Sequence, residues 1–319
     1  MKKFLLNLFF LVTALVILFL LFEYSTSTLI GDRLQVKKEG KDIKYFVVGH
    51  SHSEIAYNDT IIKELKNISY AGESYLSSYY KAKILLKNNP HIDTIFVELS
   101  NNYLDKHMDE WIWGSDFLLM GYLDLSSTVS AEDKWWLFKK NPSGFLAASS
   151  LAGKVRLKRI RSAYYDFDYA GGFRYLKRDK TDSLLKAIVR NAPDTIFAGT
   201  AEKFSTQNLR FLKKLVEFCE DNEIKIYLIR SPLHSFYREH LNEKLYYRVL
   251  ETDLKGVEFL DFSRFPLSNT EFGDLSHLNY KGTRKYSIWL DSLLQSGFLD
   301  KKNKQEIIDK EFDRINSGR

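Results

Sequence analysis

The sequence predicts an α/β domain, a three-layer sandwich around a mostly parallel sheet, carried on an N-terminal transmembrane helix. Three observations predict it. Short β-branched or aromatic runs alternate with helical stripes before residue 105 and again after residue 200. The nineteen residues Phe4 to Phe22 are apolar except for Asn7 and Thr13. Between the two α/β stretches, residues 106–199 break the alternation and carry Trp111, Trp113, Trp135 and Trp136, which marks an aromatic-rich insertion or cap.

The first element is the apolar run. A bilayer core needs about 20 apolar residues as a helix, whereas a secretory signal has about 7–15 and a small-x-small cleavage site. Glu23 to Thr28 offers no such site, so residues 1–25 are expected to be an uncleaved single-pass anchor in the cytoplasmic (inner) membrane. Lys2 and Lys3 stay inside, which sends the rest of the chain to the extracytoplasmic, periplasmic side. Arg33, Lys37, Lys38 and Lys41 lie just beyond and work against that orientation.

Residues 26–43 read as a polar linker. Lys44 to Val48 form a strand ending at Gly49. Asn58-Asp59-Thr60 is expected to cap a helix over Ile61–Leu65, with a short strand at Asn67–Ser69. Ser74 to Leu86 reads as a helix and Thr94 to Leu99 as a strand. Ser205 and Thr206 cap a long helix whose stripe is Phe211, Leu212, Leu215, Val216 and Cys219. Ile224–Ile229 is a strand, Phe236–Val249 a helix and Val257–Asp261 the last strand. A final helix carries Tyr286, Trp289, Leu290, Leu293 and Leu294 up to Gly297. The domain is thus expected in two parts, 26–105 and 200–300, followed by a charged tail over 301–319 that reads as a surface helix.

Composition narrows the function. A net charge of +6 over 319 residues is mild. No zinc pattern, RNP-like sequence or basic arm suggests nucleic acid as a partner. Cys219 is the single cysteine, which excludes an intramolecular disulfide. The basic group Lys154, Arg156, Lys158, Arg159 and Arg161 reads either as a solvated helix face or as a site for an acidic glycan or lipid headgroups. The insertion's aromatic residues read first as core, and second as sugar-stacking platforms.

Two constellations carry chemistry. Gly49-His50-Ser51-His52-Ser53 follows a strand and precedes a helix, which puts a serine hydroxyl on a tight turn beside helix N–H groups. Asp274-Leu275-Ser276-His277 precedes the final helix. A carboxylate three residues before a histidine can hold one ring nitrogen and leave the other as base. Either alone is an ordinary loop. Together they resemble the SGNH, or GDSL-like, hydrolase superfamily, whose first block ends the first strand and whose last block is an Asp-x-x-His. The resemblance covers about residues 44–105 and 200–297 and implies a flavodoxin-like sheet.

It also implies Ser51, Asp274 and His277 as a catalytic triad. Ser51 and Gly72 backbone N–H groups and the Asn101 side chain would form the oxyanion hole, with Asn102 the other candidate for the third donor. His50 stands where the family has Asp, and the glycine that usually opens the third block is absent from Leu99-Ser100-Asn101-Asn102. His50, His52, Asn102 and His234 are further cleft candidates. With an anchor and an insertion, the layout is similar to the envelope O-acylation branch, which includes alginate O-acetylation and teichoic acid D-alanine transfer proteins. That branch implies ester hydrolysis or O-acyl transfer on an envelope polysaccharide through an acyl-serine. It implies no cofactor, and a membrane-bound O-acyltransferase as a partner. Two alternatives stand beside it: a glycan-binding or assembly protein with a vestigial triad, and a metal-dependent hydrolase using the His50/His52 pair. The remaining histidines, His91, His107, His234, His240 and His277, supply few further ligands.

Overall fold

The structure, a computed structural model, describes residues 1–31, 33–122, 125–167, 171–191, 204–239 and 241–318. Residues 192–203, the end of the expected insertion among them, and His240 lie outside this set. The chain divides into two units, Met1–Lys37 with Trp113–Tyr169, and Lys38–Ile112 with Ala170–Arg319.

In the first unit, helix α1 (Lys2–Gly31) is long and apolar enough to cross a membrane. It continues past residue 25 without a break, so the expected linker begins as helix. Nothing between Phe22 and Gly31 stops it, since neither Gly nor Pro intervenes. Gln35–Val36 pairs in parallel with Asp166–Phe167. The Pro142–Ser162 helix starts on Asn141, whose side chain accepts the Gly144 N–H, with Pro142 in the first turn. It packs on α1 and on the Phe117–Tyr122 helix. Ala148, Ala152 and Gly153 are buried along it. At Gly153 a Cβ would lie 2.9 Å from the Phe22 ring, so a larger residue would push that ring aside.

The second unit is built on five parallel strands: β1 (Tyr45–Val48), β2 (Leu65–Asn67), β3 (Thr94–Glu98), β4 (Lys225–Arg230) and β5 (Glu258–Asp261). Their order is β2-β1-β3-β4-β5. Pleating sends Val47, Phe96, Tyr227, Ile229 and Leu260 to one face. There they meet Tyr286, Leu290 and Leu294 of a helix over Tyr280–Gln295. Phe46, Val48, Ile95, Val97 and Leu228 point the other way and are equally buried. Both faces are covered, which is why these strands read as continuous apolar runs rather than alternating ones. The strand order reverses between β1 and β3, and in such sheets ligands bind at the carboxyl ends beside that switch.

Four expectations are corrected. The Ile61–Leu65 helix does not form. Asn58 Oδ1 instead accepts the Thr60 N–H at 3.0 Å, its carbonyl closes turns to Ile61 and Ile62, and Leu65 joins the sheet. The second strand is therefore Leu65–Asn67 rather than Asn67–Ser69. The Phe236–Val249 helix is two helices, Ser235–Glu239 and Glu243–Thr252, because the Asn242 side chain caps a new start by accepting the Leu245 N–H. The charged tail forms the expected helix, over Lys304–Ser317, but it does not lie wholly on the surface: Ile308 and Phe312 are buried in the core.

Candidate active site

Gly49 follows β1 at the crowded switch. A Cβ there would lie 2.4 Å from Glu98 Cβ and 2.6 Å from Ser53 Oγ. Helix α2 (Ser51–Ala56) starts immediately after. His50 is its N-cap, and the imidazole Nδ1 accepts the His52 N–H at 3.3 Å. A histidine thus supplies the acceptor that an aspartate carboxylate would offer there.

The far end of α2 is sewn to helix α3 (Tyr280–Gln295). Thr283 Oγ1 donates to the Ile55 carbonyl at 2.9 Å, Ser287 Oγ to that of Ala56 at 3.2 Å, and Tyr286 to the Tyr57 hydroxyl at 3.1 Å. The first two bonds satisfy carbonyls that a short helix leaves open. α3 is capped by Asn279, two residues after His277. The same helix that finishes α2 therefore delivers the histidine.

The outcome is a continuous chain of hydrogen bonds. Ser51 Oγ lies 2.8 Å from His277 Nε2. His277 Nδ1 lies 2.9 and 3.1 Å from the two Asp274 oxygens. Asp274 Oδ1 also accepts the backbone N–H groups of Ser276 and His277, each at 2.9 Å. Burial pushes the Asp274 carboxyl up. The hydrogen bond and charge of His277, the Ser276 N–H and the Arg178 guanidinium outweigh it and hold the group down at about 2. The carboxylate therefore stays ionised through the whole useful pH range.

Arg178 was not foreseen. It pairs with Asp274 Oδ2 from an irregular segment, residues 171–180, that lies along the sheet unit. That segment is fixed at several points. The Gly172 N–H donates to the Ser69 carbonyl at 3.1 Å and that of Lys180 to Gly273 at 3.0 Å. Arg174 Nε reaches Glu54 Oε2 at 2.6 Å. No spacing in the sequence links Arg178 to Asp274, 96 positions away. Arg178→Ala should raise the Asp274 pKa, read by NMR titration of that carboxyl. An unchanged Asp274 pKa would exclude an electrostatic role for Arg178.

The other candidates are placed as follows. Among the described residues, the backbone N–H groups of Ser51 and Gly72 meet no protein acceptor. The Gly72 carbonyl accepts Trp111 Nε1 at 2.7 Å. The Asn101 oxygen accepts Arg230 Nη2 at 2.8 Å and its amide faces the Asn242 carbonyl at 3.5 Å. The Asn102 oxygen accepts the Tyr237 hydroxyl at 3.0 Å, and among the described residues its amide N–H groups have no acceptor. His234 accepts the Phe236 N–H at 3.2 Å and meets Asn269 at 3.0 Å, the work of a capping residue.

A second cluster lies beneath Ser51. One donor atom each from His50, His52 and Glu98 falls within 4.8 Å of the others, and all three residues are buried. Glu98 is the carboxylate that a survey of histidines overlooked, although a charged residue ending an apolar strand was visible in Thr94–Glu98. Burial raises the Glu98 carboxyl to about 8, against hydrogen bonds from Ser231 that lower it. Burial, helped by His277, drops His50 to about 3. His52 Nδ1 has no hydrogen-bond partner among the described residues. His50 Nε2 is within 2.8 Å of Ser100 Oγ, so both His50 nitrogens are engaged. As a metal site, the cluster has a free donor in His52, while His50 and Glu98 would each exchange a protein hydrogen bond for the ion.

These shifts give opposite pH slopes. Folded Glu98 keeps its proton while the unfolded chain loses it, so stability falls as pH rises from 4.5 to about 8. Folded His50 stays neutral, so stability falls as pH drops from 6.5 toward about 3. Glu98→Gln should remove the first slope, giving urea midpoints that hold steady toward pH 8 while the parent's decline. Parallel curves would show that Glu98 is ionised in the fold.

No curated protein matches the chain. One family model, which carries no descriptive name, matches residues 149–299, less than half of the chain. Among solved structures, the chain is similar to a provisionally assigned acylhydrolase from Bacteroides fragilis, at 10% identity and a TM-score of 0.34, over 87% of this chain and 92% of that one. A likeness that distant bears on neither the fold nor the chemistry.

Proposed function

We propose that this chain is a membrane-anchored serine hydrolase or O-acyltransferase of the SGNH type, with a flavodoxin-like sheet and Ser51, His277 and Asp274 as its triad. The observation that carries the proposal is the 2.8 Å approach of Ser51 Oγ to His277 Nε2, with Asp274 on the opposite ring nitrogen.

In this mechanism Asp274 keeps the proton on Nδ1, so Nε2 is the base. As Ser51 Oγ bonds to the acyl carbon, its proton passes to Nε2. The Ser51 and Gly72 N–H groups hold the oxyanion. For the third donor, Asn102 has free amide hydrogens, whereas the Asn101 amide is turned toward Asn242. Collapse breaks the ester bond, and the leaving alkoxide takes the proton from Nε2. Water or a sugar hydroxyl then attacks the acyl-serine, gives its proton to Nε2, and Ser51 recovers it on departure. An envelope polysaccharide is the acceptor this reading favours, with a membrane-bound O-acyltransferase as acyl supplier and the sheet unit in the periplasm.

An uncleaved anchor is supported by Arg156, which is fully buried and pairs with Glu23 of α1 at 3.1 Å. Removing one partner of a buried ion pair costs about 3–5 kcal/mol, so loss of α1 would damage the unit it packs against.

A second reading, the metal-dependent hydrolase, is favoured by the His50/His52/Glu98 cluster and the unpartnered His52 Nδ1. A divalent ion held there would polarise an ester carbonyl or activate water.

One experiment separates the readings. The protein is incubated with a fluorophosphonate probe, with and without prior chelation, and the adduct is mapped by mass spectrometry. The triad predicts an adduct on Ser51 that survives chelation and is lost in His277→Ala. Ester hydrolysis that chelator abolishes and zinc restores, with no adduct on Ser51, would establish the metal reading. If Ser51→Ala retains function and neither signal is seen, a binding or assembly role replaces both.

A further inference from the structure

From the first unit we infer that, in addition to the α1 span, a second surface enters the outer face of the same bilayer. It is an aromatic patch centred on Trp135, Phe138, Phe145 and Leu146. This inference rests on the anchor reading of α1.

The register between α1 and the Pro142–Ser162 helix sets the depth. Gly153 abuts the Phe22 ring. Arg156, about one turn further on, reaches Glu23 and Thr26, also further along α1. The two helices therefore run in the same sense where they touch. Going back along the second helix goes back toward the apolar segment of α1. Phe145 and Leu146 lie about two turns before Gly153, or ~11 Å along the helix axis. Phe22 is the last residue of the apolar run, so the start of this helix lies at or below the outer edge of the hydrocarbon. The burial of α1 agrees. Its sheltered stripe of Phe19, Glu23, Thr26 and Ile30 begins inside the apolar run.

The surface at that depth has the chemistry of a membrane interface. Trp135 is 59% exposed and Leu146 48%. Ring contacts run without a gap from Trp135 to Phe138, Phe145 and Phe117. Lys139 Nζ lies 5.6 Å from the Trp135 ring and Lys140 5.4 Å from Trp113. Tryptophan beside lysine is the pairing that settles at the headgroup boundary, with ring and stem among acyl chains and charge among phosphates. Continuity with α1 and the two lysines favour an anionic lipid surface as occupant over a protein partner.

The test uses the full chain reconstituted into phosphatidylcholine–phosphatidylglycerol vesicles. Trp111, Trp113, Trp136 and Trp289 are changed to Phe, which leaves Trp135 as reporter. Lipids brominated near the glycerol should quench its emission about two-fold, and lipids brominated at the chain ends should quench less. A companion variant retaining only Trp289, packed among Phe262, Phe265 and Phe312, should not be quenched. Because four substitutions can unsettle the fold, Leu146→Cys in a Cys219→Ser background, labelled with an environment-sensitive dye, provides an independent readout and should shift blue in vesicles. Flotation with vesicles together with an unquenched Trp135 and an unshifted dye would overturn the inference while leaving the anchor intact. Failure to float would overturn the anchor reading and this inference with it.

Discussion

Asp274→Asn is expected to lower kcat/KM for an activated ester by about 10⁴-fold while leaving the fold in place. The carboxylate does more than carry charge. Its Oδ1 accepts two backbone N–H groups, at Ser276 and His277, and both oxygens face His277 Nδ1. An asparagine can keep the backbone bonds through its oxygen, but then its NH₂ faces the ring. A donor in that position favours the tautomer with its proton on Nε2, and that nitrogen can no longer take the proton of Ser51. The measurement is the p-nitrophenyl acetate rate of parent and variant at neutral pH, with far-UV circular dichroism to confirm the fold. A loss of less than about ten-fold would remove Asp274 from the mechanism.

Gly49→Ala is expected to be strongly destabilising and to slow the reaction as well. Its Cβ would meet Glu98 Cβ at 2.4 Å and Ser53 Oγ at 2.6 Å. Glu98 and Ser53 are both fully buried, so neither can retreat. Overpacking of this kind costs about 3 kcal/mol, which lowers the melting temperature by roughly 10 °C in a domain of this size. Ser51 lies two residues further on, and under the proposed mechanism a displacement of about 1 Å at its hydroxyl costs ~10²-fold in rate. The variant should therefore be slow even at temperatures where it is fully folded. A melting temperature within a degree or two of the parent would mean that β1 and β3 can part here at little cost.

Much of the sheet unit was legible because its signals are local. Thr94–Glu98, Lys225–Arg230 and Glu258–Asp261 are short apolar runs bounded by polar residues. Ser205 caps the helix it was expected to cap, by accepting the Asn208 N–H. Errors fell where a local signal had a competitor. Asn58 can cap a helix or close a turn on itself, and the pull of Leu65 into the sheet decided for the turn. Asn242 restarted a helix that periodicity had drawn as continuous.

Which atoms meet is a different matter. Residue types and their order along the chain were enough to determine a parallel α/β unit, an apolar span of bilayer length, and a short set of candidate residues. Only the tertiary structure brought Ser51 to His277 across 226 positions, through a helix that binds the last carbonyls of α2. It alone set Arg178 on Asp274, and Glu98 beneath His50 and His52. The physical reason is that helix stripes, caps and strand runs are written in neighbouring side chains. Long-range pairs are instead selected by the packing of whole elements against one another, and no short window of sequence carries that information.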